Sequence, residues 1–180
     1  MIGRTPLRSP AAADPIVGSA AAGPAAVTVE LSVDVDGDGG LDGARWAQLL
    51  ADVLAAEGVP DGAEVGLSFV SAEAMTDLNE AHMGATGPTD VLAFPIDGPT
   101  VAAGGVVGDD VICPSVAAAG AADHAGTPED EIALLVVHAA LHLLGHDHGE
   151  PAARSAMQAQ ERALLAAHHG PLGGDPWAAR

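Results

Sequence analysis

The sequence has no lysine, one cysteine and few aromatic residues, and each shortage limits what the protein can be. With Cys113 alone, no disulfide can form within the chain, which is compatible with a reducing cytoplasm. We expect its thiol to be a small buried apolar group rather than a reactive one. Because aromatic residues make up only 2% of the 180 positions, the core must be built from valine, leucine, isoleucine and alanine. This length suits one domain with a substantial core.

The chain also lacks any apolar run close to the roughly 20 residues that a membrane-spanning helix needs. The first residues, Met1–Ala26, are rich in alanine, proline, glycine and serine, and they lack the sustained apolar run of a signal peptide. We expect them to form a disordered extension. The folded domain is predicted to span Val27–His168, and the glycine- and proline-rich end, His169–Arg180, is predicted to be frayed.

Hydrophobic periodicity predicts strands and helices that alternate through this domain. Strands are predicted over Val27–Val35, Val65–Val70 and Gly108–Cys113. An edge strand is predicted within Gly87–Pro95, since proline cannot donate a hydrogen bond to a neighbouring strand. Helical spacing of apolar residues, together with capping residues, predicts helices over Leu41–Glu57, Ser71–His82, Ser115–His124, Thr127–Leu144 and Pro151–His168.

Four of the eight histidines lie in one stretch, His138-Ala-Ala-Leu-His-Leu-Leu-Gly-His-Asp-His148. His138 and His142 are four residues apart, so on a helix their Cβ atoms lie about 5–6 Å apart on one face. Gly145 can end that helix in the left-handed conformation, and the chain can then turn back and bring in His148. Three nitrogen ligands leave a fourth position open, as at a catalytic zinc. This spacing disfavours the alternative of a core helix without metal.

The same histidine spacing occurs in the metzincin zinc proteases, which carry a glutamate directly after the first histidine as general base. Here that position is Ala139, so the proteolytic base is missing. The stretch more closely resembles His-Gly-x-Leu-His-Leu-x-Gly-Tyr-Asp-His, the signature of the YbeY family of bacterial endoribonucleases. Ala139 stands in the usual glycine position of that signature, and His146 stands in the usual tyrosine position.

Two further stretches and one further residue bear on this resemblance. Pro88–Pro95 resembles the family's Thr-Asp-Val-Leu-Ser-Phe-Pro segment, which borders the groove leading to the metal, with Ala93 in place of serine. Gly108–Cys113 is similar to the family's Gly-Asp-Ile-x-Ile-x, but Asp110 stands where an apolar residue is usual. Met83 stands where many members have an arginine that is thought to contact the RNA phosphate.

The resemblance implies an α+β fold, a small mixed four-stranded sheet packed by about five helices, with a zincin-like metal helix. It implies one Zn²⁺ per chain, held by His138, His142 and His148. The implied activity is cleavage of single-stranded RNA in the cytoplasm, in 16S rRNA maturation and ribosome quality control. The implied partners are single-stranded RNA or rRNA, with small-subunit ribosomal proteins or a ribosome-assembly GTPase. Neither a membrane nor DNA specificity is expected.

Asp147 lies between two of the candidate ligands and has two interpretations. It orients a ligand imidazole or shuttles a proton, which makes it the candidate catalytic residue, or it caps the turn that precedes Pro151. Both interpretations are compatible with its position in the sequence.

The charge balance does not fit RNA binding easily. The sequence has six arginines and 25 acidic residues, which gives a net charge of −19. Phosphate contacts, in contrast, normally come from lysine and arginine. An acidic surface suits a high-salt cytoplasm, where screening over roughly 3–8 Å blunts repulsion, or a basic protein partner. Two alternative functions follow: a ribosome-associated binding factor with a largely structural metal, or a zinc hydrolase of another substrate such as a peptide. Ala139 argues against the hydrolase.

Overall fold

A computed structural model describes residues 26–35 and 40–178. The predicted N-terminal extension, apart from Ala26, and the last two residues of the predicted tail therefore lie outside the described residues. Within the described ranges the chain forms four strands and five α-helices. The strands are β1 (Thr28–Asp34), β2 (Glu64–Val70), β3 (Val91–Pro95) and β4 (Val106–Ile112), and the helices are α1 (Gly43–Ala56), α2 (Ala72–Met83), α3 (Pro114–Gly120), α4 (Pro128–Leu143) and α5 (Pro151–His168).

The strands form one mixed sheet in the order β1-β2-β4-β3. Strands β1, β2 and β4 are parallel, and β3 runs antiparallel to β4 at the edge. The edge position of β3 agrees with the prolines in its stretch, because an edge strand tolerates a missing donor. The predicted α+β class, with a four-stranded mixed sheet and five helices, is confirmed.

Helix α4 occupies the centre of the molecule. It packs against β3 and β4 on the sheet and against α1, α3 and α5 around it. From Ile132 to Leu143 every residue is buried except His138 and His142, which are half-buried. Thr127 begins the helix by accepting a hydrogen bond from the Asp130 N–H at 3.1 Å, and Pro128 occupies the first turn, where it removes no helical hydrogen bond. The helix is therefore held on all sides, and its two histidines interrupt an otherwise apolar surface.

On the opposite face of the sheet, α2 packs against β3 and β4. A smaller apolar cluster there contains Met75 from α2, Leu92 from β3, and Val111 and Cys113 from β4 and its end. Cys113 is fully buried, as predicted from its apolar character. Ser71 caps α2 by accepting a hydrogen bond from the Ala74 N–H at 3.2 Å.

The segment that follows α5, residues 169–178, lies against α4 and the loop before it. The Gly173 N–H donates to Asp130 at 3.1 Å, and the Gly174 N–H donates to the Ala125 carbonyl at 2.7 Å. The sequence predicts that this segment is frayed; in the structure it makes specific backbone contacts beside α4.

Among the side chains of the described residues, Asp110 is the one whose polar atoms are buried without a hydrogen-bond partner. It lies in β4, opposite Leu67 of β2 and Ala93 of β3, and it is fully buried. Neither carboxylate oxygen has a hydrogen-bond partner in the described part of the chain. Burial, together with the neighbouring charge of Asp109, raises the pKa of Asp110 well above its usual value. The fold therefore favours the neutral acid.

Replacing Asp110 by valine should stabilise the protein at neutral pH by roughly 1–3 kcal/mol, because an unsatisfied buried carboxyl is removed. A raised folded-state pKa means that the native protein binds the proton more tightly than the unfolded chain does. The stability that this proton supplies to the native protein is therefore lost as pH rises from about 3.9 through the folded-state pKa of Asp110. The gain in stability from Asp110→Val should grow over the same pH window. Urea unfolding across a pH series measures both effects.

The matched control is Asp109→Val, because Asp109 is exposed on the neighbouring position of β4. It removes only the neighbouring charge, the smaller of the two causes of the raised pKa of Asp110, so it should stabilise the protein less than Asp110→Val does. An Asp110→Val variant that is no more stable than the wild type, or whose gain does not depend on pH, would contradict the assignment of a neutral buried acid.

Candidate metal centre

His138 and His142 project from the last two turns of α4. Their Nε2 atoms lie 3.1 Å apart, and their ring centroids are 4.6 Å apart. The four-residue spacing places both rings on one helix face, and the packing around α4 leaves that face as the half-buried one. The convergence of these two imidazoles follows from helix geometry alone.

Gly145 turns the chain so that a third histidine can join them. Its φ of 83° is left-handed, and the Gly145 and His146 N–H groups donate to the His142 and Leu141 carbonyls at 3.0 and 2.9 Å. These two bonds form a Schellman motif, which ends the helix and reverses the backbone. His148 then lies with its ring centroid 5.4 Å from that of His138 and 4.9 Å from that of His142.

The three histidines form a cluster that can hold a metal ion. One ligand nitrogen from each lies within 4.8 Å of the other two. Two nitrogens bound tetrahedrally to zinc at its usual bond length lie about 3.3 Å apart, close to the 3.1 Å between the Nε2 atoms of His138 and His142. The donor set and its spacing therefore fit a metal. His148 is exposed, so the cluster is open to solvent on its side.

The electrostatics of the cluster also favour a neutral imidazole at His142. Burial and the neighbouring His138 and His148 lower the pKa of His142. A metal ion binds the unprotonated nitrogen, so the same effects that keep a proton off His142 leave its nitrogen available as a ligand.

Glu161 of α5 holds His138, and sequence reasoning missed it. The His138 Nδ1–H donates to Glu161 Oε1 at 2.7 Å, and Glu161 is only 4% exposed. A carboxylate on the far nitrogen fixes the ring and its tautomer, which leaves Nε2 free for a metal. One signal was present: Glu161 lies between Met157 and Leu164, four and three residues away, inside the apolar stripe of α5.

Asp147 caps the turn between the candidate ligands. Its Oδ1 accepts hydrogen bonds from the His148 N–H at 2.6 Å and the Gly149 N–H at 3.0 Å. The backbone bonds from Gly149 and His148 lower the pKa of Asp147, so the exposed carboxylate is ionised at neutral pH. These contacts are those of the turn-capping interpretation, and they fix the backbone from which His148 projects.

His146 points elsewhere. Its Nε2 lies 4.0 Å from Glu57 at the end of α1, and it is not one of the three converging histidines.

A groove of about 330 Å³ opens beside the cluster. His138 and His148 line it from one side, and Asp90 and Val91, at the start of β3, line it from another. This is where the resemblance placed the segment Pro88–Pro95. Arg154 and Trp177 also line the groove. A substrate in this space would lie directly against two of the three histidines.

Replacing His142 by alanine should abolish binding of one metal ion per chain, together with the rise in melting temperature that the metal supplies to the wild type. The measurement is metal content after dialysis, combined with thermal unfolding with and without metal. The matched control is His146→Ala, a histidine of the same turn that faces Glu57. Full metal occupancy in His142→Ala would remove this histidine from the site.

Acidification should release the metal. Protonation competes with metal for the three imidazoles, whose unperturbed pKa is about 6.5. The lowered pKa of His142 acts in the same direction, because it also makes acid destabilising. Its contribution to stability is present above about 6.5 and is lost as pH falls through the folded-state pKa. The melting temperature of metal-loaded protein should therefore fall with acid more steeply than that of chelator-treated protein. Equal acid sensitivity in both samples would contradict this.

Comparison with known proteins agrees with this geometry. A family model described as Endoribonuclease YbeY matches residues 39–169. The Endoribonuclease YbeY of Salinispora tropica is 43% identical over 148 residues, covering 76% of this chain and 90% of the relative. That of Thermobifida fusca is 41% identical over 144 residues, covering 76% and 93%.

A solved structure shares the fold. The solution structure of TM1509 from Thermotoga maritima has 25% sequence identity and a TM-score of 0.54, and it covers 76% of this chain and 87% of that one. The family match spans all five helices and three of the four strands, β2, β3 and β4. The chain therefore belongs to the Endoribonuclease YbeY family.

Proposed function

We propose that this protein is a zinc-dependent endoribonuclease that cleaves single-stranded RNA, acting in 16S rRNA maturation and ribosome quality control. The observation that carries the proposal is the convergence of His138, His142 and His148 at the edge of an open groove. The relatives named Endoribonuclease YbeY support RNA as the substrate, since the chain covers about nine-tenths of their length.

Zinc is the metal that the donor set favours. Three imidazole nitrogens with one side open to solvent match the catalytic class of zinc site, in which three protein ligands leave one position for water or substrate. Bound there, zinc would supply a Lewis acid that polarises a phosphoryl oxygen and activates water. The carboxylate of Glu161 supports this role, because it holds His138 with its Nε2 directed at the other two histidines.

Asp147 is the proposed proton acceptor. It is exposed and adjacent in sequence to His148, which places a carboxylate next to the cluster, while the backbone bonds that lower its pKa also make it a weak base. Its other role is mechanical: the bonds to the His148 and Gly149 N–H groups hold the turn that carries the third ligand.

Arg154 is the proposed contact for the RNA phosphate. Among the arginines within the described ranges, it alone lines the groove that contains His138 and His148. Its Nε donates to the His148 carbonyl at 3.1 Å, which fixes the guanidinium beside the cluster and leaves its terminal N–H groups for a phosphate. Arg162 lies 3.4 Å from Asp175, and Arg45 lines a separate groove.

Met83 predicts weak rather than absent activity. It is 57% exposed at the end of α2, and the loop after it leads to Asp90 in the groove. A methionine cannot stabilise charge on a phosphoryl group, so Arg154 provides this function with less help than the usual arginine would give. The alternative of a binding factor with a structural metal rests on the same missing charge.

The protein is proposed to act in the cytoplasm with rRNA and the small ribosomal subunit, including its proteins or an assembly GTPase. In the described ranges, every helix is too short or too polar to span a bilayer. A basic ribosomal protein would also complement the net charge of −19.

Met83→Arg should accelerate cleavage of single-stranded RNA by on the order of 10²-fold, since one electrostatic contact to the developing charge is worth about that much. Arg154→Gln should slow it by on the order of 10-fold or more, because a charged hydrogen bond to phosphate is removed. The measurement is single-turnover cleavage by zinc-loaded protein, with His138→Ala as the blank and Arg45→Gln as the matched arginine control.

Parallel incubations with duplex RNA, single-stranded DNA and casein test the substrate class. Cleavage of casein would favour the peptide hydrolase, and cleavage equal to that of the His138→Ala blank would favour the binding factor. A Met83→Arg variant no faster than the wild type would show that other groups stabilise the phosphate.

A further inference from the structure

The segment after α5 approaches the metal helix so closely that only glycine fits at the contact. Gly126, before α4, has a left-handed φ of 111°, and a Cβ there would lie 2.7 Å from backbone atoms of Gly173 and Gly174. Such a distance is too short for real side chains, so any larger residue would push the segment away. Asp130 ties the same segment down by accepting hydrogen bonds from His169 and the Gly173 N–H. The path of the segment is therefore built into the fold.

This path brings Trp177 to the metal centre. Its indole Nε1–H donates to Glu161 Oε2 at 2.6 Å, while the other oxygen of Glu161 accepts from His138 at 2.7 Å. A buried carboxylate with a donor on each oxygen has one rotational position. The chain of contacts runs from Trp177 through Glu161 to the imidazole of His138.

Arg162 keeps the indole in place. Its guanidinium carbon lies 4.1 Å from the centroid of the Trp177 ring, which is the distance of a cation–π contact. Its terminal nitrogen also lies 3.4 Å from Asp175 of the same segment. Arg162 therefore holds both the ring and the backbone turn that carries it, and the indole N–H stays directed at Glu161.

We propose that Trp177 is a positioning residue of the metal centre: through Glu161, its indole N–H holds His138 in the orientation that a metal ion requires. The C-terminal segment is then a working part of the site. The inference rests on the proposed metal binding at the three histidines. Without the indole donor, the carboxylate can rotate away from His138, and the ligand loses its fixed direction.

Two substitutions break the series of contacts from Trp177 to His138 at different points. Trp177→Phe keeps an aromatic ring beside Arg162 and removes only the donor. Glu161→Gln keeps the size of the side chain but offers one acceptor instead of two, so it cannot satisfy both His138 and Trp177. Loss of a partner that orients a metal-bound histidine typically weakens metal binding 10- to 100-fold. We expect that range for Glu161→Gln and on the order of 10-fold for Trp177→Phe.

Trp46→Phe is the matched control. The chain has two tryptophans, and Trp46 also carries an arginine over its ring, Arg45 at 4.5 Å. Trp46 lies on the buried face of α1 and is 2% exposed. Its replacement by phenylalanine should therefore lower the melting temperature of the metal-free protein more than Trp177→Phe does. Trp46→Phe should leave metal affinity unchanged. Trp46→Phe should therefore be the less stable of the two variants, and Trp177→Phe should be the one that binds metal more weakly.

The experiment is competition for Zn²⁺ against a chromophoric chelator with the full-length chain, together with the visible spectrum of the Co²⁺-loaded form. Trp177→Phe and Glu161→Gln should weaken Zn²⁺ binding and alter the Co²⁺ bands, whereas Trp46→Phe should do neither. If the wild type binds zinc and Trp177→Phe binds it equally tightly with the same Co²⁺ spectrum, the positioning role is overturned while the proposed function stands. If the wild type binds no metal, both fail.

Discussion

The packing of α4 fixes the positions of the two histidines on which the rest of the site depends. All the remaining side chains from Ile132 to Leu143 are buried against the sheet or a neighbouring helix. The helix therefore cannot rotate without exposing apolar surface. Burying a leucine-sized side chain contributes about 1.5–3 kcal/mol, and many such side chains surround this helix. His138 and His142 are consequently held as a rigid pair, and Gly145 needs only to return the chain for His148 to meet them.

Around this rigid pair the acidic residues have particular tasks. Glu161 orients His138, Asp130 anchors the C-terminal segment, and Asp147 holds the turn that carries His148. A chain with a net charge of −19 thus uses some of its carboxylates as internal hydrogen-bond acceptors beside a site that is suited to a cation. The same charge repels RNA, so in the proposed function a bound metal and Arg154 supply the attraction for a phosphate locally.

Local patterns in the sequence were enough to predict the strands, the helices and the histidine cluster, whereas the mixed sheet was predicted from the family resemblance. The spacing of His138, His142 and Gly145 determines their geometry through helix periodicity alone, without knowledge of the tertiary structure. Glu161 and Trp177 could not be found that way, because Glu161 is 23 residues from His138 and 16 from Trp177. Their contacts arise where α5 and the following segment cross α4. The glycines that permit this crossing resemble those of an unstructured tail, since composition does not distinguish a close backbone contact from flexibility.

The central claim is that three histidines hold one zinc ion and leave one position open. X-ray absorption of the zinc-loaded protein tests it most directly, because it counts the imidazoles and identifies the remaining ligand. The account predicts three histidine nitrogens and one further light atom, all at about 2.0–2.1 Å. A sulfur ligand at about 2.3 Å, or a first coordination shell with fewer than three imidazoles, would contradict it.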